Sequence, residues 1–320
     1  MSGGCEKLHI ETPLVRSNAL SKENGFEVLL KLENIQLPGS FKIRGIGHMC
    51  QKSLDENRKA DCFVCSSGGN AGLAASYAGT RLNKPVHVFV PTSTSQFVLD
   101  QFKLYSCSQV HVHGSVWNEA NEKAKEFCGT VNGIMVPPYD HPYIWEGNST
   151  IVDELEQQLG PDRLPSCIVV SVGGGGLLLG VMEGVKRRPK WGKIPLVAVE
   201  TEGADCFSQS VKQGKSMRLA TISSVAKSLG ALEPCPALMN RLKEANIISE
   251  TVTDDQAVDA CKRFMVDHRY LVEPACGAAL SAVYSSAGLL KRLAEEKRID
   301  VSSGPAVIVV CGGVSVQMLL

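Results

Sequence analysis

Short runs of β-branched and other apolar residues alternate with stretches of helical periodicity almost from end to end of this 320-residue chain. Strands are predicted over Glu27–Leu32, Cys62–Cys65, Val86–Val90, Val110–Val112, Cys167–Val172, Leu196–Val199 and Ala306–Val310. Helices are predicted between them, over Phe41–Leu54, Ala71–Leu82, Gln96–Leu104, Asn118–Phe127, Ile144–Leu159, Leu177–Lys186, Asp254–Asp267 and Gly277–Glu296. Strands apolar on both faces need helices above and below them, so the alternation predicts parallel, doubly covered sheets. No internal repeat, low-complexity tract or long linker interrupts it. Two βα blocks of an α/β enzyme are expected, one near residues 37–134 and the other made from the rest.

Charge narrows the function classes. Lys plus Arg is 33 and Asp plus Glu is 33, so no basic excess exists to displace counterions from a nucleic acid. The longest apolar runs, near Leu177–Met182, are too short to cross a bilayer. Met1–Arg16 has no basic-then-apolar signal pattern. A cytoplasmic protein with neither membrane nor nucleic-acid partner is expected. Its 12 cysteines fit that setting as buried, reduced thiols: Cys62 and Cys65 form a C-x-x-C inside a strand, and no second such pair completes a zinc site.

Parallel sheets place ligands at the turns that lead from strand ends into helices. Three turns have the composition for it. Ser66-Ser67-Gly68-Gly69-Asn70-Ala71-Gly72 leads into a helix whose N-terminus can receive an anion, with Asn70 free to cap it or to meet a ligand oxygen. Gly173-Gly174-Gly175-Gly176-Leu177 is a backbone cradle for a phosphate. It lacks the Lys-Ser/Thr of a P-loop and the G-x-G-x-x-G of a dinucleotide fold, although Glu200, at the next strand end, resembles a ribose-binding acid. Val310-Cys311-Gly312-Gly313 is the third. Upstream, Ser40-Phe41-Lys42-Ile43-Arg44-Gly45 places a lysine at a helix start, where the dipole opposes its charge and lowers its pKa, as a Schiff-base lysine requires.

A lysine nucleophile, a phosphate cradle and an anion loop are the parts of a pyridoxal phosphate site. Together they resemble the fold-type II pyridoxal-phosphate enzymes, the tryptophan synthase β-like superfamily. Asp140-His141-Pro142-Tyr143-Ile144-Trp145-Glu146-Gly147, Ser224-Val225-Ala226-Lys227-Ser228-Leu229-Gly230-Ala231 and Val272-Glu273-Pro274-Ala275-Cys276-Gly277-Ala278 make the chain similar to L-serine dehydratase/L-threonine deaminase. Ser67-Gly68-Gly69-Asn70 resembles the serine dehydratase-like branch, and the likeness covers about residues 8–313.

The resemblance implies two open, twisted, mostly parallel sheets flanked by helices, with the cofactor between a large domain (1–36 with 135–320) and a small one (37–134). It implies that Lys42 carries pyridoxal 5'-phosphate and acts as catalytic base. Phe41 would lie on one ring face and Ser228 on the other, with Asn70 on the phenolic oxygen and Cys311 at the pyridine nitrogen. Gly173, Gly174, Gly175, Gly176 and Leu177 would hold the phosphate, and Ser67, Gly68 and Asn70 the substrate. Glu200 with the carbonyls of Ala204, Leu229 and Ala231 would hold a monovalent cation, potassium by expectation; a helix-capping carboxylate is the other reading of Glu200. The implied reaction is β-elimination from L-serine or L-threonine by a cytoplasmic homodimer, in amino-acid metabolism that feeds gluconeogenesis. A serine racemase and a pyridoxal-phosphate-binding pseudoenzyme are the alternatives.

Three departures from the resemblance matter. Gly68 stands where many serine dehydratases have Ala, and the added freedom should loosen substrate positioning. Ser228 replaces a common Ala. After Cys311-Gly312-Gly313 the residues Val314–Leu320 lack the expected Asn/Ser-Asn-Ile and closing helix. His141 reads equally as a site-facing or a structural residue, Lys227 as a surface lysine, and Lys291–Asp300 as a solvated helix face.

Overall fold

The computed structural model describes residues 6–284 and 288–319; Cys5, Ser285–Ala287 and Leu320 lie outside them. It contains ten strands: β1 (Leu14–Arg16), β2 (Val28–Lys31), β3 (Cys62–Cys65), β4 (Val86–Val90), β5 (Ser108–Val112), β6 (Gly133–Val136), β7 (Cys167–Ser171), β8 (Leu196–Thr201), β9 (Ile247–Val252) and β10 (Ala306–Val309). The chain divides into two compact units. One takes the described part of Met1–Ile10 together with Gln36–Asn148, the other Glu11–Ile35 with Ser149–Leu320.

The first unit holds a four-stranded parallel sheet in the order β5-β4-β3-β6. All four residues of β3, Cys-Phe-Val-Cys, are buried, as a strand covered on both faces requires. Helices Lys42–Glu56, Asn70–Leu82, Gln96–Phe102 and Trp117–Thr130 belong to this unit. The helix beginning at Lys42 crosses the start of helix Pro142–Leu159 at close range. A Cβ on Gly45 would stand 2.7 Å from Ile144 O, and one on Gly147 2.3 Å from Arg44 O. Paired glycines bring the two backbones together and fix the first turn of the lysine-bearing helix.

The second unit holds six strands in the order β1-β2-β10-β7-β8-β9. Only β1–β2 is antiparallel; the other pairings are parallel. Strands β7, β8 and β10 are buried throughout, which is why their Val/Ile runs are readable in the sequence. Beneath β2 lies a polar knot: Lys31 Nζ donates to Thr12 O at 2.6 Å, Glu154 Oε2 at 2.5 Å and Gln158 Oε1 at 3.0 Å. Both sheets are mostly parallel and flanked by helices, as expected.

Strands β1, β6 and β9 are additional to those expected, and one expected helix is divided. The continuous helix expected over Gly277–Glu296 is instead Pro274–Tyr284 and Leu289–Glu295, with Gly288 at the second N-cap in a left-handed conformation, φ +52°. No helix among the described residues is long and apolar enough to cross a membrane. The eleven described cysteines are all free. Cys62 and Cys65 occupy the two ends of β3, three positions apart, and so point to opposite faces. Cys62 joins the cluster of Phe89, Ala120 and Ala124, while burial pushes the Cys65 thiol up to about 11. A thiol so raised is unreactive near neutral pH.

Candidate active site

In the first unit Lys42 is the first residue of its helix, and Phe41 before it is already helical, at φ −52° and ψ −22°. Gly39, at φ +80°, turns the chain into this start, and its N–H donates to Gln36 O at 2.6 Å. Lys42 Nζ donates to Pro138 O at 2.6 Å and lies 5.3 Å from the Phe41 ring centroid. A primary amine at a helix N-terminus, held by a backbone carbonyl, suits imine formation and proton transfer.

The Ser66–Gly69 turn leaves the C-terminal end of β3 and feeds helix Asn70–Leu82, with Gly69 as N-cap and Asn70 as first helical residue. The N-cap, Gly69, brings no side chain to this N-terminus, an end of a helix that favours an anion. Gly72 is obligatory: a Cβ there would stand 2.0 Å from Ser67 O. At Gly68 a Cβ would stand 3.1 Å from both Thr94 Oγ1 and Val90 Cγ1, which is tight without being blocked. His141, half-buried, accepts the Tyr143 N–H through Nδ1 at 3.2 Å at the start of helix Pro142–Leu159, a structural use.

In the second unit the glycine run links β7 to helix Gly176–Lys186. Gly175 is its N-cap at φ +100°, a conformation that L side chains rarely adopt. A Cβ on Gly173 would lie 2.9 Å from Leu229 Cα and 3.0 Å from Leu229 O. The cradle therefore exists only with glycine, and it leads onto a helix N-terminus whose N-cap has no side chain. A phosphate fits this chemistry. Ser228 is exposed, in the turn Lys227–Leu229 whose Leu229 backs Gly173; Lys227 is exposed as well.

Cys311 follows β10 and is buried, its Sγ 3.4 Å from Ser171 Oγ at the end of β7. The Cys276 thiol is hydrogen-bonded to the Cys311 thiol and is raised well above its usual range, first by burial and then by that hydrogen bond. Glu273, buried at the start of helix Pro274–Tyr284, accepts the Ser315 N–H at 2.9 Å. It packs where a Cβ on Gly313 would meet its carboxylate carbon at 2.0 Å. Glu273 thus ties down the loop beyond Cys311, a role its sequence motif did not disclose.

Glu200, in β8, is fully buried, and its oxygens accept the N–H groups of Phe207 at 3.0 Å and Ser208 at 2.6 Å. It caps helix Cys206–Gln213, the second of the readings open from sequence. Burial pushes its carboxyl up to about 8, a state that a neighbouring cation would relieve. Ala204, whose N–H donates to Thr201 O at 2.9 Å, lies in the turn after β8, beyond Glu202 and Gly203. Leu229 O accepts from Ala231 N at 2.7 Å, which leaves a carbonyl lone pair available.

Two residues beside the Ser66 turn carry no signal in the sequence. Trp117 Nε1 donates to Ser66 O at 2.7 Å, and Ser66 Oγ donates to Asn121 Oδ1 at 2.7 Å. Their partner lies 51 and 55 positions away, beyond any local pattern.

A protein-family model described as "Pyridoxal-phosphate dependent enzyme" matches residues 6–312. The chain is 46% identical over 310 residues to "Serine dehydratase-like" of Mus musculus, covering 97% of this chain and 92% of that one. It is 42% identical over 314 residues to "L-serine dehydratase/L-threonine deaminase" of the same species, covering 98% and 94%. Among solved structures, a fungal L-serine ammonia-lyase from Rhizomucor miehei superposes with a TM-score of 0.90 at 35% identity, covering 98% of this chain and 97% of that one.

Proposed function

Because the chain belongs to the pyridoxal-phosphate dependent enzyme family, we propose that it is an ammonia-lyase that converts L-serine to pyruvate and ammonia and L-threonine to 2-oxobutanoate and ammonia. The observation that carries this reading is near full-length similarity to relatives named for these substrates, joined to an intact lysine at a helix N-terminus.

Lys42 is the residue that would hold the cofactor, with Phe41 and Ser228 against the ring, Asn70 at its phenolic oxygen and Gly173–Leu177 around its phosphate. When bound, the cofactor supplies an electron sink for the charge left at Cα on deprotonation. Ser67 and Gly68 hold the substrate carboxylate. Lys42 Nζ would take the α-proton as general base. The β-hydroxyl would then leave as water, taking up the proton that the Lys42 ammonium carries, and the released 2-aminoacrylate would take up one water to give pyruvate and ammonia. Cys311 is the residue that would meet the ring nitrogen, and a thiol there would carry no fixed negative charge as an Asp does. The electron sink would then stay weak, which favours β-elimination.

Glu200 and the carbonyls of Ala204, Leu229 and Ala231 are assigned to a monovalent cation, potassium by preference, which would compensate the buried carboxylate. A cytoplasmic homodimer serving amino-acid breakdown for gluconeogenesis completes the reading on the strength of the resemblance. Purified protein loaded with pyridoxal phosphate and given L-serine should release pyruvate and ammonia in equal amounts. D-serine in their place would identify a racemase, and no turnover with retained cofactor a binding protein; either result overturns the proposal.

A further inference from the structure

Within the loop assigned to the substrate carboxylate, Ser67 Oγ receives a long 3.4 Å contact from Gly69 N, and Gly68 and Gly69 have no side chains. Helix Trp117–Thr130 holds Ser66, at the head of this loop, from outside. Trp117 grips the Ser66 carbonyl and Asn121 the Ser66 hydroxyl, each at 2.7 Å. Spaced i and i+4, both lie on one helix face. That helix is itself anchored: Ala120 and Ala124 are buried against Cys62, Val64 and Phe89, and Glu119 Oε2 accepts the Ser115 N–H at 2.5 Å at its start. Trp117 leaves 43% of its surface exposed, so core packing does not account for an indole here, whereas its N–H bond does.

We propose that Trp117 and Asn121 are positioning residues that set the substrate-carboxylate loop by clamping Ser66 from both its carbonyl and its hydroxyl. This rests on the reading that Ser67 and Gly68 hold the carboxylate. The clamp acts on carboxylate recognition while leaving the cofactor's phosphate cradle, in the glycine run after β7, untouched.

The test uses the cofactor-loaded protein and two unreactive probes followed by cofactor absorbance: L-alanine, and L-alaninamide, which lacks the carboxylate. Trp117→Phe keeps an aromatic ring and loses the donor; Asn121→Leu loses the acceptor, and Asn121→Asp restores it. Trp117→Phe and Asn121→Leu should weaken L-alanine binding about tenfold and leave L-alaninamide and pyridoxal phosphate binding unchanged. KM for L-serine should rise similarly with kcat little altered, and Asn121→Asp should stay near wild type. Equal losses for both probes, or Asn121→Asp as weak as Asn121→Leu, would show a merely structural role and overturn the inference. A wild-type protein whose spectrum L-alanine leaves unchanged overturns the reading of the loop itself, and the inference with it.

Discussion

Replacing Gly173 by alanine should cost the protein its grip on the cofactor's phosphate while sparing the fold. The added Cβ would stand 2.9 Å from Leu229 Cα and 3.0 Å from Leu229 O. These are backbone atoms, so no side-chain rotation relieves the contact. About half an ångström of backbone displacement is needed to reach ordinary van der Waals distance, either in the glycine run or in the Lys227–Leu229 turn behind it. Displacements of this order misalign several amide donors together, and an ångström of misplacement can cost on the order of a hundredfold. The expected loss in pyridoxal phosphate affinity is therefore about 10- to 100-fold, or roughly 1.4–2.7 kcal/mol. Cofactor titration of the apo-protein, followed by absorbance, measures it. Pyridoxal, which lacks the phosphate, serves as the second ligand, and Gly192→Ala as the control, since a Cβ there meets nothing closer than 3.7 Å. Unchanged phosphate-ligand binding by a folded Gly173→Ala protein, or equal losses for pyridoxal, would refute the reasoning.

Three further outcomes follow from single contacts. Lys31→Met leaves the buried Glu154 carboxylate without its 2.5 Å partner and should lower unfolding stability by about 3–5 kcal/mol, read as a fall in the urea midpoint. Gly68→Ala asks Thr94 and Val90 to give by a few tenths of an ångström; kcat for L-serine should rise several-fold as the loop stiffens, and a fall would show that the space is needed. His87 and His111 share a 3.0 Å hydrogen bond, and burial holds both below the usual value of 6.5. The unfolded chain then takes up protons that the folded one resists, so stability is full above pH 6.5 and falls as pH drops through that value. Thermal unfolding from pH 8 to 5 should show this decline, and His111→Gln should flatten it.

Legibility in the sequence followed burial and locality. Strands β3, β7 and β10, covered on both faces, announce themselves as continuous apolar runs. Strand β9 does not: it is an edge strand with Ser249, Glu250 and Thr251 among its residues and only two buried positions. The antiparallel β1 has only three residues, and β6 opens on a glycine with only Val136 buried, so neither stands out. The helix expected across Gly288 failed because one glycine in a tolerant composition can either continue a helix or start another. At the site, the glycine runs and Lys42 are local patterns at strand ends and helix starts and were visible as such. The grip of Trp117 and Asn121 on Ser66, the tie from Glu273 to Ser315 and the choice of Glu200 as a helix cap are contacts made by the tertiary fold. No periodicity encodes them.

The central claim is that Lys42 Nζ carries the cofactor. Borohydride reduction of the yellow protein, followed by proteolysis and mass spectrometry, fixes any imine-linked pyridoxyl group to the residue that bears it. The account predicts a single modified peptide with the label on Lys42 and none in Lys42→Ala. A label on another lysine, or a coloured protein with no labelled lysine, would contradict it.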